Sequence, residues 1–289
     1  MKRLVLVLLA GTAYGSSVVI SRMGLSEIPP LSLAALRLGF ATILFIPTLI
    51  ILKKELPRNH STLRDIIISG IATTAVPLTA FITALAFISS GVHTVFISLI
   101  PLFTAVIAHR WLAHERLSGA KLIGLLVALS GVVLLILTRT TGISENGGSV
   151  DLRGPALVLF GVLAASSAAV FTRARLKDAD LFVVTAGQIA VAFIAVSIFV
   201  PFFSDLDLSA VTIKGWFSVF YTGLIGSYLA FLLNFYLIKR YGATTSTLPT
   251  YIMPAVSAIL GALLLGELIT LPLVLGAIII LLGVFLSNR

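Results

Sequence analysis

The feature that most constrains this chain is a series of ten apolar runs, each long enough to cross a lipid bilayer. A hydrocarbon core about 30 Å thick needs roughly 20 consecutive apolar residues in a helix. Runs of that kind lie near 4–23, 32–52, 66–87, 92–112, 120–138, 154–174, 181–203, 213–237, 244–266 and 271–286. In lipid every backbone N–H and C=O must be paired within the chain, so runs of this length become helices. The sequence therefore predicts an all-α membrane protein of ten transmembrane helices. Apolar residues make up 58% of 289 positions and charged residues 11%, against about 25% charged in soluble domains, so no stretch remains for a sizeable water-soluble domain. Lys2 and Arg3 before LVLVLLA resemble a cleavable leader. The apolar stretch continues through Gly11 to Ile20, however, and reads as a retained first helix.

Charge orients the ten helices. On the side holding the N-terminus, Lys and Arg number fifteen, against four on the opposite side (Arg22, Arg139, Arg153 and Lys214), while Arg37 lies within the second run. Cationic loops stay in the cytoplasm, so both termini are expected there, in a bacterial inner or other plasma membrane. The same bias accounts for the net charge of +9 without a nucleic-acid partner. There is no cysteine, and His60, His93, His109 and His114 lack metal-ligand spacing. No cofactor or metal is expected.

The halves repeat each other. Glu115 pairs with Glu267, Gly124 with Gly276 and Gly131 with Gly283 at an offset of 152. Gly91 pairs with Gly242 and Thr83 with Asn234 at 151, and Gly11 with Gly161 and Ser16-Ser17 with Ser166-Ser167 at 150. The chain thus divides into a first five-helix repeat, 1–140, a linker, 141–152, containing Glu145-Asn146-Gly147-Gly148, and a second repeat, 153–289. Because five is odd, the second repeat is inverted relative to the first. Inverted repeats suit a protein that alternates between two facing states, although channels contain them too.

Polar residues at helical spacing mark candidate cavity faces. Thr94, Ser98 and Pro101 in the fourth run lie at i, i+4 and i+7, and Thr247, Tyr251 and Pro254 repeat that spacing in the ninth. The two prolines free the carbonyls of Ile97 and Thr250, and Pro77 and Pro249 add further breaks. Breaks at membrane depth often line cavities, although a neighbouring hydroxyl can satisfy a single kink. Ser227, Phe231 and Asn234 form a stripe in the eighth run with Tyr228 beside it. Thr79 and Thr83 lie one turn apart in the third, and Tyr14 and Ser17 share a face in the first, which also carries the packing pair Gly11 and Gly15. His93 is a candidate gate or coupling group near the outer surface, or a hydrated interfacial side chain. Arg37 either faces the interior or snorkels to the headgroups, and Gln188 lies deeper in the seventh run. No Asp or Glu lies deep in any run. A proton-coupled exporter of organic cations keeps such a group in its path, and phosphates favour clustered cations, so this lining suits a neutral, aromatic or zwitterionic solute best.

At these residues the sequence resembles the drug/metabolite transporter superfamily, specifically the EamA-type permeases. The resemblance rests on a mid-helix proline followed by an apolar stretch ending in Gly-Glu: Pro254 with Gly266-Glu267 fits closely, and Pro101 with His114-Glu115 less so. Leu36-Arg37 and Tyr14-Gly15 are also similar to the family. The resemblance covers the whole chain. It implies export of amino acids and related metabolites through a central cavity lined by helices one, three, four, six, eight and nine, with Arg37 and Gln188 peripheral. A channel, a lipid scramblase and an organophosphate or nucleotide-sugar type antiporter are the alternatives. An enzyme is not expected: His60 and Asp65 match an HxxxxD spacing only within a short loop, and neither GxSxG nor HExxH occurs. The expected partners are a small-molecule substrate and membrane lipids, with the chain a monomer or weak dimer. Reporter tags inserted at Arg58 and at Glu145 should report cytoplasm and exterior respectively; the same side for both would refute this topology.

Overall fold

The computed structural model describes residues 2–111, 119–143, 151–241 and 248–287, and among them every regular element is helical. Ten helices follow in order: α1 Lys2–Gly24, α2 Pro30–Ile51, α3 His60–Ala84, α4 Ser90–Trp111, α5 Gly119–Leu137, α6 Arg153–Arg175, α7 Leu181–Phe203, α8 running through Ile213–Tyr221, Thr222–Leu229 and Ala230–Tyr241, α9 Pro249–Leu265 and α10 Leu271–Ser287. The first eight are long and apolar enough to cross a membrane. The last two have 17 residues each, about 25 Å of helix. Large apolar side chains such as Ile51, Phe202 and Leu263 are more than half exposed, as lipid-facing residues should be. The protein is a multi-pass, membrane-embedded chain.

Helix pairing carries the inverted repeat into three dimensions. Helix α1 packs on α9, and its counterpart α6 packs on α4; α2 packs on α8, and its counterpart α7 on α3. The α2/α7 and α5/α10 pairs each join two equivalent helices. Ten helices are therefore arranged as two inverted five-helix repeats. The same irregularity appears in equivalent helices. In α3 the segment Gly70–Ala75 widens into a π-helix, with Val76 N–H donating to the carbonyl of Ile71, and in α8 the segment Thr222–Leu229 does the same, with Ala230 N–H donating to Ile225.

Local chemistry explains where helices start and break. Helix α3 begins at His60, six residues before the apolar run, because Asn59 Oδ1 accepts the Ser61 amide at 3.0 Å and caps it. Pro101 cannot donate to the carbonyl four residues back. Helix α4 accordingly divides into Ser90–Ile97 and Ile100–Trp111. At the far end of α9, Gly266 takes a left-handed φ of 65°, and the Glu267 amide closes back on the carbonyl of Gly261 at 3.1 Å. Between α1 and α2, Glu27 accepts the Thr212 hydroxyl at 2.8 Å and the Thr212 amide at 2.9 Å. These bonds, the hydroxyl's first, hold its carboxyl below the usual carboxylate range.

The α5/α10 pair is a close helix crossing. A Cβ at Gly283 would lie 2.5 Å from both Ala128 N and Gly124 O, backbone atoms that cannot yield. Gly283→Ala should cost about 1–3 kcal/mol of stability, read as a lowered midpoint of thermal unfolding in detergent. An unchanged midpoint would show that the crossing tolerates a methyl group.

Candidate functional site

A cavity of about 310 Å³ lies where the irregular segments meet. Helix α1 gives it Tyr14, Ser17 and Ser21; α3 gives Thr73 and Thr74 from its π segment, with Pro77 and Phe81; α8 gives Gly226 and Ser227 from its π segment, with Phe231 and Asn234. Arg37 of α2, His93 of α4 and Pro249 and Thr250 of α9 also border it, together with apolar side chains such as Leu78, Ile82 and Met253. Helices α6 and α7 contribute only Ala165 and Ile189. The widened π turns bring threonine, serine and glycine backbone toward the centre of the bundle, a placement common at functional sites.

Arg37 is the one ionised side chain bordering the cavity among the described residues, and it is only 7% exposed. Its Nε donates to Ser227 Oγ at 3.1 Å, Nη1 to Ser21 Oγ at 3.0 Å and Nη2 to Ser17 Oγ at 3.4 Å. No described carboxylate pairs with it. The guanidinium passes Gly226, where a Cβ would lie 2.9 Å from Nη2 and 1.9 Å from Ser17 Oγ, so this route exists because position 226 has no side chain. Far from being peripheral, Arg37 reaches the cavity wall.

His93 is 1% exposed, not hydrated at the surface. Its Nε2 lies 3.0 Å from the carbonyl oxygen of Phe81, and its ring meets the Phe81 ring edge-on at 5.7 Å. Its Nδ1 is buried with no hydrogen-bond partner among the described residues. Tyr14 donates to the Ala230 carbonyl at 3.3 Å and meets Phe231 edge-on. Three aromatic rings, Tyr14, Phe81 and Phe231, thus line the space.

Other polar residues marked in the sequence lie elsewhere. Thr94 turns back on the carbonyls of Ser90 and Gly91, each at 3.0 Å. Ser98 donates to the Thr250 carbonyl at 3.1 Å, so the carbonyl freed by Pro254 is satisfied across the α4/α9 contact. Tyr228 bonds Thr48 at 2.5 Å and packs on Phe45. Thr79 and Thr83 border a separate recess between α3, α6, α7 and the start of α2. Tyr251 packs against the core around α4 and α6. Pro101 and Pro254 do not border the cavity, whereas Pro77 and Pro249 do. Thr247 and the His114-Glu115 pair lie outside the described residues. Thr94 and Ser98 of the fourth run therefore serve backbone carbonyls. Sequence reasoning passed over Ser21, Thr73 and Thr74. Ser21 was detectable as the residue one turn beyond Ser17, and the π shifts that turn the threonines inward leave no such trace.

A buried ion pair lies next to the cavity-lining residues Ser21 and His93. Glu267 accepts Arg22 Nε at 3.1 Å, the Ser90 amide at 2.9 Å and the Ser90 hydroxyl at 2.8 Å, and Arg22 also donates to the carbonyl of Ile88. The carboxylate lies at the N-terminus of α4, where the helix dipole favours an anion. Arg22 follows Ser21 and Ser90 precedes His93 by one turn, so the cluster ties α1, α4 and α9 together just beyond the cavity.

A polytopic helical protein of two inverted repeats enclosing a central cavity has an architecture that membrane transporters use. The sequence profile of the EamA-like transporter family matches residues 1–137 and 152–289, and the chain belongs to that family. It is 24% identical over 275 residues to the uncharacterized transporter YoaV of Bacillus subtilis, covering 95% of this chain and 92% of that one. It is 26% identical over 294 residues to an uncharacterized transporter of Archaeoglobus fulgidus, covering 100% and 99%. It is also 27% identical over 300 residues to a probable amino-acid metabolite efflux pump of Escherichia coli, covering 98% and 93%. A solved chain titled "Crystal structure of protein" superposes with a TM-score of 0.71 at 19% identity, covering 98% of this chain and 95% of that one, which shows a shared fold.

Removing one partner of a buried ion pair strands the other charge. Glu267→Gln should cost about 3 kcal/mol of stability, read as a lower midpoint of thermal unfolding in detergent. An unchanged midpoint would show that the pair does not hold this end of the bundle.

Proposed function

We propose that this EamA-family transporter exports small metabolites, amino acids and related neutral or zwitterionic compounds, by alternating access. The observation that carries the reading is the central cavity of about 310 Å³, walled by helices from both repeats, with the Arg22–Glu267 cluster tying helices next to it. That volume lies at the small end of ligand pockets. Alternating access requires a barrier in each of its two facing states, and a buried ion pair tying three helices can form one. The E. coli relative described as a probable amino-acid metabolite efflux pump supports this substrate class. The fifteen-to-four charge bias supports an inner-membrane orientation with both termini in the cytoplasm. The proposed units are repeats 1–140 and 153–289 joined by an external linker, acting as a monomer or weak dimer surrounded by lipid. An organophosphate antiporter fits less well, because phosphates favour clustered cations and one guanidinium borders the cavity.

Counterflow in liposomes against amino acids, amines, nucleosides and organophosphates tests the reading. A saturable, solute-selective signal is expected; unselective leakage would favour a pore. Asn234 borders the cavity. Loss of one hydrogen bond to solute costs roughly 3- to 10-fold, so Asn234→Ala should lower flux by about that factor at unchanged expression. Full flux in that variant would place the solute elsewhere.

A further inference from the structure

Two features of the cavity are not explained by packing. Arg37 is a buried cation whose partners are three serine hydroxyls and no carboxylate among the described residues. His93 presents a buried Nδ1 with no partner there at all. An uncompensated charge or an unmade hydrogen bond in an apolar enclosure is costly, and such groups persist where a ligand completes them. The serines orient the guanidinium, but a hydroxyl carries no charge to balance it. At His93, the Phe81 carbonyl can only accept, so Nε2 carries the proton. The neutral ring, buried without a counter-ion, then offers a lone pair at Nδ1.

We propose that Arg37 and His93 are the two poles of the solute site: Arg37 takes a carboxylate, and His93 Nδ1 accepts from a neutral N–H or O–H donor on the same small molecule. The inference rests on the carrier reading above and extends its substrate class to small monocarboxylate anions. Charge balance sets the ligand. A monocarboxylate neutralises Arg37. A phosphate dianion would leave a net negative charge in a mostly apolar space. A zwitterion leaves its ammonium without an anionic partner, because no Asp or Glu borders the cavity among the described residues. Among small metabolites the site therefore favours a monocarboxylic acid that also carries a neutral hydroxyl, at least as strongly as the matching amino acid; 3-phenyllactate is the simplest aromatic probe of that class. Tyr14, Phe81 and Phe231 provide an apolar, aromatic seat for the remainder of the molecule.

Binding to the purified full-length protein, measured as thermal stabilisation over a concentration series, tests this with four probes: 3-phenyllactate, 3-phenyllactamide, 3-phenylpropionate and L-phenylalanine. The amide, lacking the charge, should bind roughly 10- to 100-fold more weakly than 3-phenyllactate, and the propionate, lacking the hydroxyl, about 3- to 10-fold more weakly. L-Phenylalanine should bind no more tightly than 3-phenyllactate. Arg37→Gln should bring acid and amide together, Arg37→Lys should keep a preference for the acid, and His93→Phe should erase the advantage of the hydroxyl. An amide that binds wild-type protein as well as the acid overturns the proposal, and so does an amino acid bound tenfold more tightly than the hydroxy acid. These comparisons need no variant, so a variant that fails to fold leaves the test intact. Failure of all four probes to bind also overturns the inference, whatever the transport result. The carrier reading falls separately, if no solute in the counterflow panel gives a saturable signal.

Discussion

Everything distinctive in this bundle follows from the requirement that no backbone polar group be left unpaired in lipid. Regular helices meet it by themselves, and most of the chain does little else. The exceptions are the proline sites and the π turns, and at Pro254 a second element supplies what the helix has lost. Ser98 of α4 answers the Thr250 carbonyl of α9, and Ser166 of α6 answers the Ile100 carbonyl of α4 at 3.2 Å. Such repairs act only where helices are already in contact. The cavity consequently forms at the centre, among helices held together by the bonds their own breaks demand.

The repeat is symmetric in backbone and asymmetric in chemistry. Arg37 and Gln188 occupy equivalent positions at an offset of 151, and Ser21 and Thr172 lie within one residue of equivalence. Arg37 bonds Ser21 on one side, and Gln188 Nε2 bonds Thr172 at 3.3 Å and Ser69 at 3.0 Å on the other. One framework thus serves twice, once with a charge that meets the cavity and once with a neutral amide that ties α7 to α3 and α6. Duplication supplied the scaffold, and the two copies diverged in the group placed at its centre.

The architecture was largely legible in the sequence because lipid imposes it. Run length gave helix number, and paired glycines gave the repeat. The paired glycines of α5 and α10 mark the close crossing of those two helices. The cavity was less legible. Tyr14, Ser17, His93, Ser227, Phe231, Asn234 and Thr250 border it, but Thr94 and Ser98 serve carbonyls, and Tyr228 serves Thr48. Helical spacing identifies a face without saying which neighbour it meets, and a π turn rotates that face without changing composition. Arg37 was misplaced for a related reason. Its position eight residues into α2 suits snorkelling, and only the bare backbone at Gly226 opens the inward route.

The divided helix α4 couples two parts of the molecule. Its first segment, Ser90–Ile97, begins at the Glu267 carboxylate and carries His93 at its centre, while its second segment packs on α6. A tilt of that eight-residue segment that frees Ser90 from Glu267 also shifts the imidazole relative to Arg37, which rides on a different helix. Unlatching this end and loosening the hold on a bound molecule would then be one mechanical event, needing no relay between them.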